Sequence, residues 1–170
     1  YRIPKQICNS PAFGGLVSMS INAGNFGLAM NGTHYFEAFS FMTDSEIATI
    51  SASLSDDVVR NPRGDQYSDV GGVVVAETTS GQTLILNCIP SQGHGVTVTY
   101  QCMTGWLLVD ELTGEITTQR RKSEFRSEPP TRYGLPSIQE NLTVAPADAL
   151  KPSASVLSAL IDNQEFPDGY

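Results

Sequence analysis

The sequence predicts an all-β protein, an antiparallel β-sandwich of jelly-roll type with about eight or nine short strands. Three observations carry that expectation. Short runs alternate apolar with small polar residues, as "TISASLS" (49–55) and "GVTVTYQCM" (95–103) do. Tight-turn dipeptides such as Asn31-Gly32 and Thr113-Gly114 stand between such runs. Charged residues are only 16% of the 170, with 40% apolar, and Ser, Thr, Gly, Asn and Gln fill the gap.

In chain order, "GLVSMSI" (15–21) is the first strand. "NFGLAMNGTHYFEAFSFM" (25–42) contains Asn31-Gly32, whose type I′ turn would pair Met30 with Thr33 and Leu28 with Tyr35. Its aromatics Tyr35, Phe36, Phe39 and Phe41 then divide between two faces and feed the core. Thr43 with Glu46 has capping-box spacing, which fits a single helical turn at a crossover. "TISASLS" puts Ile50, Ala52 and Leu54 on one face and serines on the other. "GGVVVAETTSGQTLILNCI" (71–89) is a hairpin turning at Ser80-Gly81, and "WLLVDELTGEITTQ" (106–119) is another turning at Thr113-Gly114. Between them, Val96, Val98, Tyr100 and Cys102 point inward.

The sandwich domain thus covers residues 1–119, and 120–170 form an extended Pro-rich arm. "EPPTRYGLP" and "APADALKP" lack periodicity and predict chain running over the surface. Pro152 opens a short helix near 153–161, with Val156, Leu157, Leu160 and Ile161 in one stripe. So short a helix needs a surface to dock on, its own sandwich or a neighbouring subunit. The chain starts at Tyr1 without methionine, as a fragment of something larger would, and shows no signal-peptide pattern. No run approaches the roughly 20 apolar residues of a membrane span.

A net charge of −8 argues against general affinity for nucleic acid or anionic membrane. Arg120, Arg121, Lys122, Arg126 and Arg132 cluster, but Glu124 and Glu128 are interleaved, the pattern of a solvated segment that pairs internally. Cys8, Cys88 and Cys102 are odd in number and lack zinc-site spacing. Cys88 shares a face with Leu84 and Leu86, and Cys102 one with Val98 and Tyr100. Both read as free core thiols, although a bridge between them is left open.

Motifs for chemistry are missing: no G-x-S-x-G, H-E-x-x-H, Walker loop or dinucleotide fingerprint. His34 and His94 fall in or beside predicted turns; His94, between two glycines, would titrate near neutrality but has no partner in sequence. The neighbouring acids Asp56-Asp57 and Asp110-Glu111 point to opposite faces of a strand and cannot converge on one substrate. Asp56, Asp57, Asp65 and Asp69 lack the alternate spacing of a calcium loop. Neither an enzyme nor a metal or cofactor site is expected. Asn31 and Asn141 head N-x-[ST] triplets, glycosylation acceptors only if the chain is secreted. Arg63, Gly64 and Asp65 form the tripeptide of integrin ligands in a wet, turn-rich loop, a context that any β–β loop also supplies.

Hydroxyl-rich strands over 15–119, unpaired cysteines, an extended C-terminal arm and no initiator methionine together resemble the coat proteins of small icosahedral viruses. More narrowly, they resemble a surface or projecting domain of such a coat. The resemblance implies a non-catalytic module on the virion surface that self-assembles as a homo-oligomer. It also implies loops, Arg63 to Asp65 among them, shown to a host receptor of glycan or integrin type. Without a basic arm, direct genome contact is not expected. The alternative is an extracellular carbohydrate-binding or cell-adhesion module of the same fold class.

Overall fold

The computed structural model describes residues 1–24, 27–61, 63–93, 95–144 and 150–163. After a short helix α1 (Arg2–Cys8) come β1 (Leu16–Asn22), α2 (Leu28–Thr43), β2 (Ile47–Arg60), β3 (Ser68–Thr78) and β4 (Thr83–Cys88). Then follow β5 (Thr97–Cys102), β6 (Gly105–Asp110), β7 (Glu115–Arg121), a 3-10 turn (Ser123–Phe125), β8 (Ser137–Thr143) and α3 (Leu150–Asn163). All eight strands join one sheet in the order β2-β3-β4-β1-β5-β6-β7-β8. Two antiparallel meanders flank β1, which runs parallel to β4 and antiparallel to β5.

This is one mixed sheet with helices on one face, so the expected all-β antiparallel sandwich is wrong. The error starts at Asn31-Gly32. Both residues lie inside α2, because the apolar positions there recur at helical spacing: Gly32, Tyr35, Ala38, Phe39 and Met42 are the buried ones. Gly32 faces the sheet, where an added Cβ would come within 3.9 Å of Leu86. α2 supplies the second layer that a second sheet was expected to supply. It ends at Asp44, in the left-handed conformation at φ 50°, whose carboxylate meets the Lys5 ammonium at 2.5 Å. Lys5 also lies 4.3 Å above the Phe41 ring, so α1 is clamped to the end of α2.

The hairpin turns at Ser80-Gly81 and Thr113-Gly114 are where the sequence puts them, each with its glycine at positive φ (87° and 73°). Ile50 and Leu54 are not in a core. β2 is an edge strand beyond the reach of α2, and they are 58% and 56% exposed. The chain after Gln119 is less irregular than expected, since β8 pairs along β7 from Ser137 to Thr143. As an outer strand with only Ile138 and Leu142 apolar, β8 leaves little alternation to read.

Two adjacent register rows define the faces. Val74, Leu86, Ile21, Val98, Val109 and Ile116 form the row under the helices, and all are buried. One residue along, Ser51, Val75, Ile85, Ser20, Thr99, Leu108, Thr117 and Asn141 form a row on the opposite face, which neither α1 nor α2 covers. The core is centred on Met19, Phe39, Leu84, Leu86, Val98 and Leu107, all fully buried.

Candidate functional site

In open sheets built around parallel strands, ligands bind beyond the carboxyl ends of those strands. Here the parallel pair is β1 and β4, whose carboxyl ends are Asn22 and Cys88. α2 starts at that rim. Its first turn is held by Asp69 of β3, a carboxylate only 3% exposed. Asp69 Oδ1 accepts from the N–H of Ala29 (2.8 Å) and of Val70 (2.8 Å), and Oδ2 from the N–H of Met30 (3.0 Å). A negative charge at the positive end of a helix that also satisfies two orphan donors is a strong cap. Gly27, the N-cap residue at φ 77°, is required there, because a Cβ would run into the Asp69 carboxylate. Burial, with Asp69 as a second cause, pushes the neighbouring Cys88 thiol up to about 11. Cys88 is therefore a protonated core thiol, not a nucleophile.

Asp69 settles one chemical question. A helix N-terminus is the usual seat for a dinucleotide pyrophosphate. At α2 that seat is filled by the protein's own carboxylate, and the residues from Asn22 to Leu28 do not spell G-x-G-x-x-G. A dinucleotide does not fit at this helix.

Beyond the cap, α2 presents Thr33, His34 and Glu37 to solvent. His34 is thus on a helix and not in the turn that the sequence suggested; the other histidine, His94, lies outside the described residues. The Arg63-Gly64-Asp65 tripeptide sits in the tight turn between β2 and β3, at the same rim. Arg63 N–H donates to Asn61 Oδ1 (2.9 Å), Gly64 N–H to Asn61 O (3.2 Å) and Tyr67 N–H to Gly64 O (3.2 Å). Arg63 and Asp65 are exposed. Of the four expected acids, Asp69 turns inward to cap α2, whereas Asp56 and Asp65 are exposed.

A second polar cluster lies further along the same rim, beside the amino end of β5, since Thr97 pairs with both Asn22 and Asp110. Glu111 accepts from the Tyr1 hydroxyl at 3.1 Å and the Tyr35 hydroxyl at 2.5 Å, joining the chain start, α2 and the β6–β7 turn. The wall of a cavity of about 560 Å³ includes Tyr1, Arg2, Tyr100, Glu111, Ile116 and Val144. Burial first, then the Glu111 charge or hydrogen bond, raises the Tyr1 and Tyr35 phenols well above their ordinary range, and burial does the same for Tyr100. These phenols stay protonated, and those of Tyr1 and Tyr35 donate to Glu111. Asp110 turns the other way: its Oδ1 accepts from Leu112 N–H (2.8 Å) and Thr113 N–H (3.1 Å), which lowers its carboxyl.

Cys88 and Cys102 cannot bridge. They sit at opposite ends of β1, roughly 20 Å apart at about 3.3 Å per residue. Cys102 instead meets Cys8: their hydrogen bond is the largest cause, ahead of burial, of the rise in the Cys8 thiol. All three are free. Arg120 pairs with Glu140 (3.3 Å), and Arg121 donates to the Glu128 carbonyl (2.9 Å), so part of the basic cluster does pair internally. Asn31 is half-buried in α2, and Asn141 is exposed on β8. In α3, Leu157 and Ile161 are exposed, and Val156 and Leu160 are half-buried.

No protein-family model matches the sequence, and neither does any curated protein. Solved structures do match. A putative NADPH-dependent oxidoreductase from Desulfitobacterium hafniense has a TM-score of 0.66 at 12% identity, over 98% of this chain and 53% of that one. UDP-N-acetylglucosamine 3-dehydrogenase GnnA from Acidithiobacillus ferrooxidans has a TM-score of 0.65 at 15% identity, over 92% of this chain and 50% of that one. A levoglucosan dehydrogenase, solved with NADH and levoglucosan, has a TM-score of 0.57 at 12% identity, over 83% of this chain and 43% of that one. The chain spans about half the length of the structures it matches. These neighbours are a putative oxidoreductase and two dehydrogenases, not virus coat proteins. The expectations of a capsid module, of a non-enzyme and of a place on the virion surface are overturned together. So is the adhesion alternative, which depended on the same sandwich. What the chain shares with the oxidoreductases is the fold of about half of each.

Proposed function

We propose that this chain is the substrate-facing half of a nicotinamide-dependent oxidoreductase acting on a carbohydrate hydroxyl, with His34 exchanging the hydroxyl proton. The observation that carries the reading is the fit of nearly the whole chain to one half of several dehydrogenases. The filled helix N-terminus at Asp69 supports a division of labour in which another half holds the dinucleotide. Two of the dehydrogenases with this fold are named for carbohydrates, UDP-N-acetylglucosamine and levoglucosan, which gives the substrate class. His34 supports the proton role by chemistry and place. An imidazole can both accept and donate a proton, and this one projects from a helix anchored at the rim where β1 and β4 end. Fold alone does not assign catalysis, so the test is chemical.

In a polypeptide joining this chain to a dinucleotide-binding half, His34→Ala should lower kcat/KM for NAD(P)-linked carbohydrate oxidation by about 10²–10⁴. Dinucleotide affinity should not change. Unaltered turnover would remove His34 from the reaction, and tight NADH binding by the 170-residue chain alone would overturn the division of labour.

Self-association enters the same proposal through a different surface from the one the sequence suggested. The sheet face opposite α1 and α2 is a self-complementary patch of Ser, Thr, Val, Ile and Leu. Its charged positions Glu77, Asp110, Glu115 and Arg121 stand at or near strand ends. A second copy related by a two-fold axis fits it.

A further inference from the structure

α1 and α2 lie on the sheet, but among the described residues α3 makes no comparable contact with another element. Leu157 and Ile161, one helical turn apart, are 59% and 78% exposed, with Val156 and Leu160 half-buried beside them. A helix of 14 residues is marginal in water without a packing surface. Its apolar stripe therefore calls for a partner.

Two observations say which. The matched oxidoreductases are about twice as long as this chain, so a whole folding unit of comparable size stands beside this half in each of them. And Val144, where the described chain leaves β8 for α3, lines the same cavity as Tyr1, Arg2, Ile3 and Pro4. The chain thus leaves β8 beside its own first residues, where a unit continuous with Tyr1 would stand. We infer that the stripe Val156, Leu157, Leu160 and Ile161 docks on the dinucleotide-binding half of the same polypeptide; this rests on the reading given under Proposed function.

The surface in cis is within reach but not taken up: Leu157 and Ile161 stay 59% and 78% exposed.

Hydrogen exchange by mass spectrometry tests the inference. In the 170-residue chain at low micromolar concentration, α3 amides should exchange within about tenfold of the random-coil rate. In the joined polypeptide they should slow by about a hundredfold or more. The double variant Leu157→Ser/Ile161→Ser should restore fast exchange in α3 and leave β1 and β4 amides unchanged. Slow α3 exchange in the dilute 170-residue chain would overturn the inference in favour of packing in cis. Protection that appears only as that chain is concentrated would overturn it in favour of a second copy. NADH titration of the joined polypeptide reads the other proposal separately. NADH binding with unprotected α3 sinks the docking alone, and protected α3 without NADH binding sinks the identity of the partner.

Discussion

The two faces of the sheet are made by neighbouring residues of the same strands, yet they differ in almost everything. Under α2, Leu86, Ile21 and Val98 are at most 1% exposed. One residue along, Ile85, Ser20 and Thr99 belong to the open face, where Val75, Ile85 and Leu108 are 38–40% exposed. Period-two alternation creates that contrast, and it says that one face is covered. It does not say what does the covering.

The sharpest way to break the comparison is to empty each face in turn. Phe39→Ala, beneath α2 and fully buried, should cost about 3–5 kcal/mol. Ile85→Ala on the open face should change stability by no more than about 0.5 kcal/mol in a monomeric sample. Urea unfolding followed by circular dichroism measures both. Equal costs would mean that the open face is covered in solution.

That contrast also explains what could be read from the sequence. Within β5, β6 and β7 the alternation and the glycine turns are local signals, and Val98, Tyr100, Ser80-Gly81 and Thr113-Gly114 all stand where expected. α2 was legible in principle, because Tyr35, Ala38, Phe39 and Met42 follow 3-1-3 helical spacing. The Asn31-Gly32 dipeptide outweighed it, although a turn signal does not act inside a helix whose face is held by packing. Asp69 was not legible as a cap, since it stands 40 residues from Ala29 in sequence and only the fold brings them together. The parallel pairing of β1 with β4 is long-range for the same reason, and without it neither the rim nor the place of His34 can be found.

The cap is the next lever on the covered face. Asp69→Ala removes the acceptor of two N–H groups at the start of α2 and should cost about 2 kcal/mol. Asp69→Asn keeps one acceptor oxygen and should cost less. If both variants melt like the parent, the cap contributes nothing, and the anion seat of α2 is open after all.

Alkaline titration reads the covered face chemically. Cys88 ionises at about 11 in the folded protein against an ordinary 9, and Tyr35 and Tyr100 are raised further. A raised folded-state value stabilises the protein below the unfolded value and is lost as pH climbs through the folded one. The urea midpoint should therefore hold to pH 9, decline between 9 and 11, and keep declining as the tyrosines follow. Cys88→Ala should make the first part of that decline shallower without removing it, because the Cys8 thiol is raised as well. A flat profile in the parent would contradict the burial of both groups.

The smallest effect on stability belongs to the open face, and it tests the self-association proposal. Ile85→Lys and Leu108→Lys place an ammonium in the middle of the patch, one on each side of β1. In a monomer the long side chain reaches water, and the cost should stay within about 0.5 kcal/mol. In a two-fold dimer each lysine appears in both halves of the interface, where desolvating like charges costs several kcal/mol. Sedimentation velocity should show a dimer for the parent that becomes monomeric in the double variant, with circular dichroism unchanged and a thermal midpoint that no longer depends on protein concentration. A parent that is monomeric at high micromolar concentration leaves the open face without a second copy. A double variant that still dimerises places the contact elsewhere.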